Sequence, residues 1–243
     1  MKVFIVSSNK YAHVVPINLF FLEKYWPEAD VTVLGYEGLN EVDGFSHDQE
    51  VVILGSQDDF GKSWSSALIP YFEKTNHDYF VILVEDFILM NRVDHNKIRV
   101  LEGEIKSGRA QKAVIGGGLN KIDSTKWEDN LFLFNQGIDY RCTLHPSIWN
   151  RDYFLKWLNP GDTIWDFEVK NNAYIKNDGA IIIGYDEKWP EYPRLYSSLN
   201  LYSGRVGLTI DKEGNILDNQ PSSKFFNIED TKMIWKWIHE SKT

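Results

Sequence analysis

Short runs of uninterrupted apolar, β-favouring residues set the rhythm of the first half of this chain. They are Val3 to Val6, Val31 to Leu34, Val51 to Leu54 and Tyr79 to Val84. A run that is apolar at every position predicts a strand buried on both faces, as in the middle of a parallel sheet. Gly35 and Gly55 close the second and third runs. Between the runs the spacing becomes helical. Ile17 to Tyr25 forms one such stretch, stopped by Pro27. Ser63 can cap another through about Glu73, with Trp64, Leu68, Tyr71 and Phe72 on its apolar side. Pro70 inside that stretch predicts a kink or a later start. Asp94 opens a third helix through about Lys106, and Ala113 to Ile115 is a further strand running into Gly116-Gly117-Gly118. Strands and helices alternating at this length predict an α/β domain with a central, mostly parallel sheet flanked by helices.

Beyond Asn120 the pattern loosens. Leu131 to Phe134 and Ile138 to Leu144 read as extended segments around Asn135-Gln136-Gly137. Arg151 to Leu158 reads as a helix ending before Pro160-Gly161, and Ala180 to Ile183 as a short strand. In the tail, Ile228, Met233, Ile234, Trp237 and Ile238 fall near helical spacing, which predicts a C-terminal helix over Ile228 to His239 packed on the body. No repeat, low-complexity tract or linker interrupts the chain, so a single domain over residues 1–243 is expected.

Composition narrows the class. The chain has 243 residues, 43% hydrophobic and 25% charged, enough for a substantial core. Its formal net charge of -9 argues against a general nucleic-acid binder, which needs a basic surface to displace counterions. Cys142 is the only cysteine, so no internal disulfide can form, and a reducing, cytoplasmic setting is expected. The opening Met1 to Val6 reaches polar Ser7-Ser8-Asn9 too soon for a signal-peptide core, and no apolar run approaches the ~20 residues of a membrane span.

Two places concentrate chemistry. The run Tyr79 to Val84 ends in Glu85-Asp86. In open α/β sheets ligands bind in the crevice beyond the carboxyl ends of the strands. Acids there are well placed to hold Mg²⁺ or Mn²⁺, which prefer oxygen ligands, against a ligand's phosphates. The second place is Trp165-Asp166-Phe167-Glu168, delivered by the turn-rich Pro160-Gly161-Asp162-Thr163. Read as extended chain, Asp166 and Glu168 stand at i and i+2 and share one face. An apolar wall beside them raises a carboxyl pKa towards the range of a general base. The plainer alternative packs Trp165 and Phe167 in the core and leaves both acids solvated. Familiar signatures are missing. No Gly-x-Gly-x-x-Gly follows the first strand, Gly116-Gly117-Gly118 lacks the Lys-Ser or Lys-Thr of a P-loop, and there is no Gly-x-Ser-x-Gly elbow. The six histidines are scattered, and one cysteine cannot complete a thiolate zinc site.

Two stretches, taken in order, resemble sugar-nucleotide-dependent glycosyltransferases of the GT-A type. Lys62-Ser63-Trp64-Ser65-Ser66-Ala67-Leu68 followed by Tyr79 to Phe87 resembles their Ser-Trp-Ser helix start and strand-end acidic motif. Tyr140-Arg141-Cys142-Thr143-Leu144-His145-Pro146-Ser147-Ile148-Trp149, continuing through Tyr153-Phe154-Leu155 to Trp165-Asp166-Phe167-Glu168, is similar to the acceptor-side half of bacterial capsule and surface-polysaccharide sugar transferases. The likeness spans roughly residues 1–185. It departs from the family pattern in having Glu85-Asp86 in place of Asp-x-Asp or Asp-Asp, and His145 where a Gln is expected.

The resemblance implies a GT-A-like domain with a nucleotide-sugar-binding half over residues 1–120 and an acceptor-binding half over 121–243. It implies donor contacts from Ser7, Ser8, Asn9, Tyr11, Lys62, Trp64, Glu85 and Asp86. Asp86 would hold Mn²⁺ or Mg²⁺, with Glu85 behind it or joining it, and Trp165 and His145 would face the acceptor, a glycan or another hydroxyl compound. If transfer inverts the sugar's anomeric centre, Asp166 and Glu168 are the candidate bases; Glu168 is favoured as the fixed end of the family pattern. Three rivals remain on the sequence. A sugar-nucleotide-forming nucleotidyltransferase uses a similar sheet, but usually carries a Gly-rich, basic loop where this chain has Ser7-Ser8-Asn9-Lys10-Tyr11. A phage-type transferase glycosylating DNA bases is disfavoured by the net charge. A non-catalytic carbohydrate- or nucleotide-binding protein would use the nine tryptophans only to pack a core.

Overall fold

The computed structural model describes residues 1–43, 45, 48–89, 91–115, 124–128, 131–185 and 196–198, the last three by their main chain only. The glycine turn at Gly116-Gly117-Gly118 and the helix expected over Ile228 to His239 lie outside the described residues. In chain order the elements are β1 (Lys2–Val6), a 3-10 turn (Asn9–Val14), α1 (Val15–Tyr25), β2 (Asp30–Gly35), β3 (Glu50–Ile53), α2 (Gln57–Phe60) and α3 (Ser65–Lys74). There follow β4 (Tyr79–Val84), β5 (Phe87–Leu89), α4 (His95–Lys106), β6 (Lys112–Val114), β7 (Ser124–Lys126) and β8 (Leu131–Phe134). The rest comprises β9 (Ser147–Asn150), α5 (Arg151–Trp157), a π-helical stretch (Asp166–Lys170), α6 (Asn172–Ile175), β10 (Ile182–Tyr185) and β11 (Tyr196–Ser198).

The main sheet has the order β3-β2-β1-β4-β9-β6-β10-β8-β7, and β5 pairs separately with β11. Strands β1 to β4 are mutually parallel. β9 lies antiparallel between β4 and β6, which ties the second half of the chain into the middle of the sheet. β10 runs parallel to β6, and β8 and β7 close the edge antiparallel. The chain order reverses at β1, with β2 and β3 to one side and β4 to the other. The carboxyl ends of β1 and β4 therefore flank the crevice where such sheets bind ligands.

Strand alternation sends successive side chains into two separate cores. Val3, Ile5, Val81 and Leu83 pack under Phe21 of α1 and Leu101 of α4. Phe4, Phe80 and Ile82 pack on the opposite face under Phe72 of α3 and Phe154 of α5. The rings there meet mainly edge to face, Phe4 with Phe72 at 5.3 Å and Phe72 with Phe154 at 5.1 Å. Each such pair contributes about 0.5–1.5 kcal/mol beyond its buried area. Helices thus cover both faces, which is why β1 from Val3 onward and β4 are apolar at every position. Among the described residues no helix is long and apolar enough to cross a membrane.

Two local expectations are corrected. Ser63 does serve the start of α3, its hydroxyl accepting the Ser66 N–H at 3.1 Å, but Pro70 neither ends nor delays the helix. Pro70 lies on the exposed side of α3. Ile138 to Leu144 is a series of turns and irregular chain rather than an extended segment, and the strand comes later as β9. Gly137 (φ 83°) and Tyr140 (φ 62°) adopt left-handed backbone there. Arg141 holds the loops in place: wholly buried, it donates to the carbonyls of Phe134 (2.7 Å), Asn135 (2.9 Å), Ala180 (2.6 Å) and Ile175 (3.3 Å).

Candidate active site

A cleft of about 710 Å³ opens at the reversal between β1 and β4. Ser7 and Ser8 leave the end of β1 into its floor, with Ser7 fixed by its N–H bond to the Leu34 carbonyl at 2.9 Å. Tyr11, Lys62, Trp64, Glu85, Asp86, His145, Trp165 and Glu168 also line it. Of the residues the resemblance assigns to donor contacts, Asn9 does not line the cleft. Its side chain accepts the Gly38 N–H at 2.8 Å, and its own N–H donates to Gln57 Oε1 at 2.7 Å. Asn9 therefore ties the loop after β1 to the loop after β2 and to α2. A Cβ on Gly38 would come within 2.6 Å of Asn9 Oδ1, so the close approach requires glycine.

The acidic turn is held from beneath. Asn18 of α1 is fully buried, and its amide donates to the carbonyls of Glu85 (3.2 Å) and Phe87 (2.8 Å). These bonds fix the backbone around Asp86, which faces the cleft. Burial, reinforced by the neighbouring Asp86 charge, pushes the Glu85 carboxyl up to about 8. Glu85 is thus largely protonated near neutral pH, and the two acids do not both carry charge at this strand end. Among the described residues no group of three or more His, Cys, Asp or Glu side chains is arranged to hold a metal ion.

The second constellation is helical rather than extended, which corrects the shared-face reading. Ile164 and Trp165 begin a helical turn that continues as the π-helical Asp166–Lys170. Residues two apart on such a turn point in different directions. Asp166 points back to the turn's start, accepting the Thr163 N–H at 3.0 Å and the Thr163 hydroxyl at 2.7 Å. Those bonds lower its pKa, and the residue does not line the cleft. Phe167 is buried against Trp64, Phe154 and Trp149, which anchors the turn in the aromatic core. Trp165, on the other side, stands 47% exposed at the cleft rim. The two aromatics therefore divide, one into the core and one to the site.

Glu168 reaches inward from this turn. Its Oε1 accepts the Leu144 N–H at 2.5 Å and the Thr143 hydroxyl at 3.2 Å. Burial raises its pKa; the bonds from Leu144 and Thr143 and the charge of Lys112 oppose that rise, while Asp86 adds to it. Asp86 and Glu168 line the same cleft. Tyr140, left-handed and exposed, lines the mouth with Trp165, and His145 sets its ring edge against Phe87 at 5.5 Å. Sequence reading missed Asn18, Tyr36, Tyr140 and Thr143 at this site. Tyr36, Tyr140 and Thr143 lie outside any periodic stretch, whereas Asn18 is a polar residue among apolar neighbours in α1.

No protein-family model matches the chain, and no curated protein matches it in sequence. Solved structures align with it. One is the galactosyltransferase LgtC in complex with donor and acceptor sugar analogues, 12% identical, with 64% of this chain and 60% of that one covered and a TM-score of 0.41. The chain thus spans about three-fifths of the length of LgtC. A UDP-glucose pyrophosphorylase from Acinetobacter baumanii is 7% identical over 77% of this chain and 86% of that one, TM-score 0.48. A CMP:2-keto-3-deoxy-manno-octonic acid synthetase complexed with CTP is 12% identical over 76% and 89%, TM-score 0.44.

Proposed function

We propose that this chain is a glycosyltransferase that moves a sugar from a nucleotide-sugar donor to an acceptor hydroxyl. The observation that carries the reading is that two separately held acidic centres line one cleft: Asp86 just beyond the end of β4, and Glu168 held by the Leu144 N–H. A diphosphate leaving group suits the first, and an acceptor hydroxyl needing a base suits the second. Ser7 and Ser8 supply hydroxyl and main-chain groups to the nucleotide. Lys62, exposed at the rim, adds positive charge near it.

Asp86, with Glu85 behind it, is the residue that would hold Mn²⁺ or Mg²⁺. Such ions are commonly bound by one or two carboxylates together with substrate phosphates and water, a pattern the two acids fit. Bound there, the metal would neutralise charge on the departing nucleotide. In an inverting transfer Glu168 takes the acceptor hydroxyl's proton as that oxygen bonds to the anomeric carbon and the bond to the diphosphate breaks. Oε1 is engaged by Leu144 and Thr143, which leaves Oε2 for the proton. Burial keeps this carboxylate more basic than a solvated one. Trp165 and Tyr140 present aromatic faces to the acceptor at the mouth.

The test is a thermal-shift screen of UDP-, GDP-, CMP- and TDP-sugars with and without Mn²⁺, since a ligand binding only the native state raises Tm. Product analysis follows, with nucleoside triphosphate plus sugar 1-phosphate as the competing substrate pair. Turnover of that pair alone identifies a nucleotidyltransferase and overturns the reading. With the donor known, Asp86→Ala should abolish Mn²⁺-dependent donor binding while the fold persists. Glu168→Gln should lower the catalytic rate by ~10²–10⁴ with donor affinity little changed. Normal turnover in both variants removes these residues from the chemistry.

A further inference from the structure

One buried cation stands behind Glu168. Lys112 lies in β6 at the middle of the main sheet and is fully buried. Its ammonium sits 4.3 Å over the Trp149 ring and donates to two main-chain oxygens, Thr143 O at 2.6 Å and Arg141 O at 3.2 Å. The peptide group whose carbonyl accepts from Lys112 is the one that joins Thr143 to Leu144. The N–H of that same peptide donates to Glu168 Oε1 at 2.5 Å. Cation, peptide and carboxylate therefore form a single line of charge: ammonium to carbonyl oxygen, through the planar amide, to N–H and carboxylate oxygen.

We propose that Lys112 is a positioning residue for Glu168, acting through the Thr143–Leu144 peptide to fix one carboxylate oxygen and leave the other directed at the substrate. A positive charge on a carbonyl polarises its amide and strengthens the N–H as a donor, because linked hydrogen bonds reinforce one another in a low-dielectric interior. A buried ammonium carries a large desolvation cost, and here that cost is met at the back of the cleft. The cost shows in the lysine itself, whose pKa is pushed down to about 8 by burial, against the opposing influence of Cys142 and Glu168. The charged and titratable groups that act on Glu168 are Lys112 from β6, Asp86 from the end of β4 and Cys142 from the segment before β9, while Asp166 and Lys170 on its own turn bond to Thr163 and Asp162 and His145 lines the same cleft. Of these, Lys112 alone reaches it through a shared peptide.

The inference rests on Glu168 having a chemical role, as in the function proposed above, but its main readout does not depend on which reaction occurs. Carboxyl ¹³C NMR of glutamate-labelled protein, with Glu168→Gln identifying the resonance, follows the titration of Glu168 directly. In Lys112→Met the Glu168 titration should move to higher pH, because the cation that favours the carboxylate has gone. In the wild type the same resonance should move a second time near pH 8 as Lys112 loses its proton. That second movement should vanish in Lys112→Met; if it persists, another group causes it. Lys112→Gln, which keeps a donor but no charge, gives the same comparison should Lys112→Met fail to fold. An unchanged Glu168 titration in a folded variant overturns the proposal and leaves Lys112 as a plug for two carbonyls. If the donor screen succeeds, either folded variant should also lose catalytic rate, by up to ~10² for a displaced carboxylate, with donor affinity retained. Coupled titration without any transferase turnover would refute the functional reading alone.

Discussion

Arg141 gives the sharpest test of how this site is supported. It falls inside the acceptor-side stretch that resembles sugar transferases, yet its guanidinium is entirely buried and touches no part of the cleft. Instead it gathers the carbonyls of Phe134 at the end of β8, Asn135 beyond it, Ile175 at the end of α6 and Ala180 before β10, with Asp178 at 3.7 Å. Arg141→Met preserves most of the buried stem and removes the fork. Hydrogen bonds to charged donors contribute ~1.5–3 kcal/mol each, and a buried acceptor left alone costs ~1–3 kcal/mol. These terms do not add, and removing the guanidinium's own desolvation cost offsets part of them. Asp178 keeps the Tyr153 hydroxyl (3.0 Å) and the Ala180 N–H (3.0 Å) as partners. The net loss expected is therefore about 3–5 kcal/mol, the range for breaking a buried ionic contact from one side. That is a large share of the ~5–15 kcal/mol by which domains are stable. Equilibrium urea unfolding reads it: with m near ~2–3 kcal/mol/M, the midpoint should fall by about 1–2.5 M. Arg141→Lys should recover little, since one ammonium cannot serve carbonyls converging from several directions. A midpoint for Arg141→Met within about 0.3 M of wild type would refute the reasoning.

Other outcomes are equally specific. Tyr140 holds φ 62° without being glycine, so Tyr140→Gly should leave stability unchanged or raise it by up to ~1 kcal/mol, strain relief of ~1–2 kcal/mol outweighing glycine's entropy cost. The same variant should weaken acceptor binding, and a loss of stability beyond ~1 kcal/mol would make Tyr140 a packing residue instead. For Lys112 the folded pKa of about 8 lies below the ordinary lysine value of 10.5, so between those values the unfolded chain binds more protons and the burial cost is relieved as pH rises. Wild-type stability measured relative to Lys112→Met should therefore increase by about 3 kcal/mol between about pH 7 and about pH 10.5, and a flat difference in paired urea melts would contradict it.

The elements were legible where one physical constraint dominated. Val3–Val6 of β1 and all of β4 are packed by helices on both faces, so each of those positions must be apolar, and the run itself announces the strand. The carboxylates of Glu85 and Asp86 follow because the run stops where the sheet meets the cleft. α4 was legible through its cap: Asp94 accepts the N–H groups of Asn96 and Lys97. Trp165-Asp166-Phe167-Glu168 was misread because strict apolar–polar alternation is the signature of a strand. What overrides it is Phe167, pinned among Trp64, Trp149 and Phe154, together with Thr163 and Asp166 closing the first turn. Those ring partners come from two other parts of the chain, the start of α3 and the β9–α5 unit, so no local period contains them.

The sequence alone determined the α/β alternation, both cores and the two acidic segments, because apolar burial and strand-end polarity are written in local order. Tertiary structure alone decided which acid does what. Asp166 and Glu168 are two residues apart, but the helical turn sends one to Thr163 and the other to the peptide of Thr143 and Leu144. It also decided that Lys112, Arg141 and Asn18 are buried. Each is a polar residue whose partners lie far off in the chain: Thr143 for Lys112, Ala180 for Arg141, Phe87 for Asn18. A buried polar group is stable only where its hydrogen-bond partners converge on it in space, and that convergence exists only once the chain has folded.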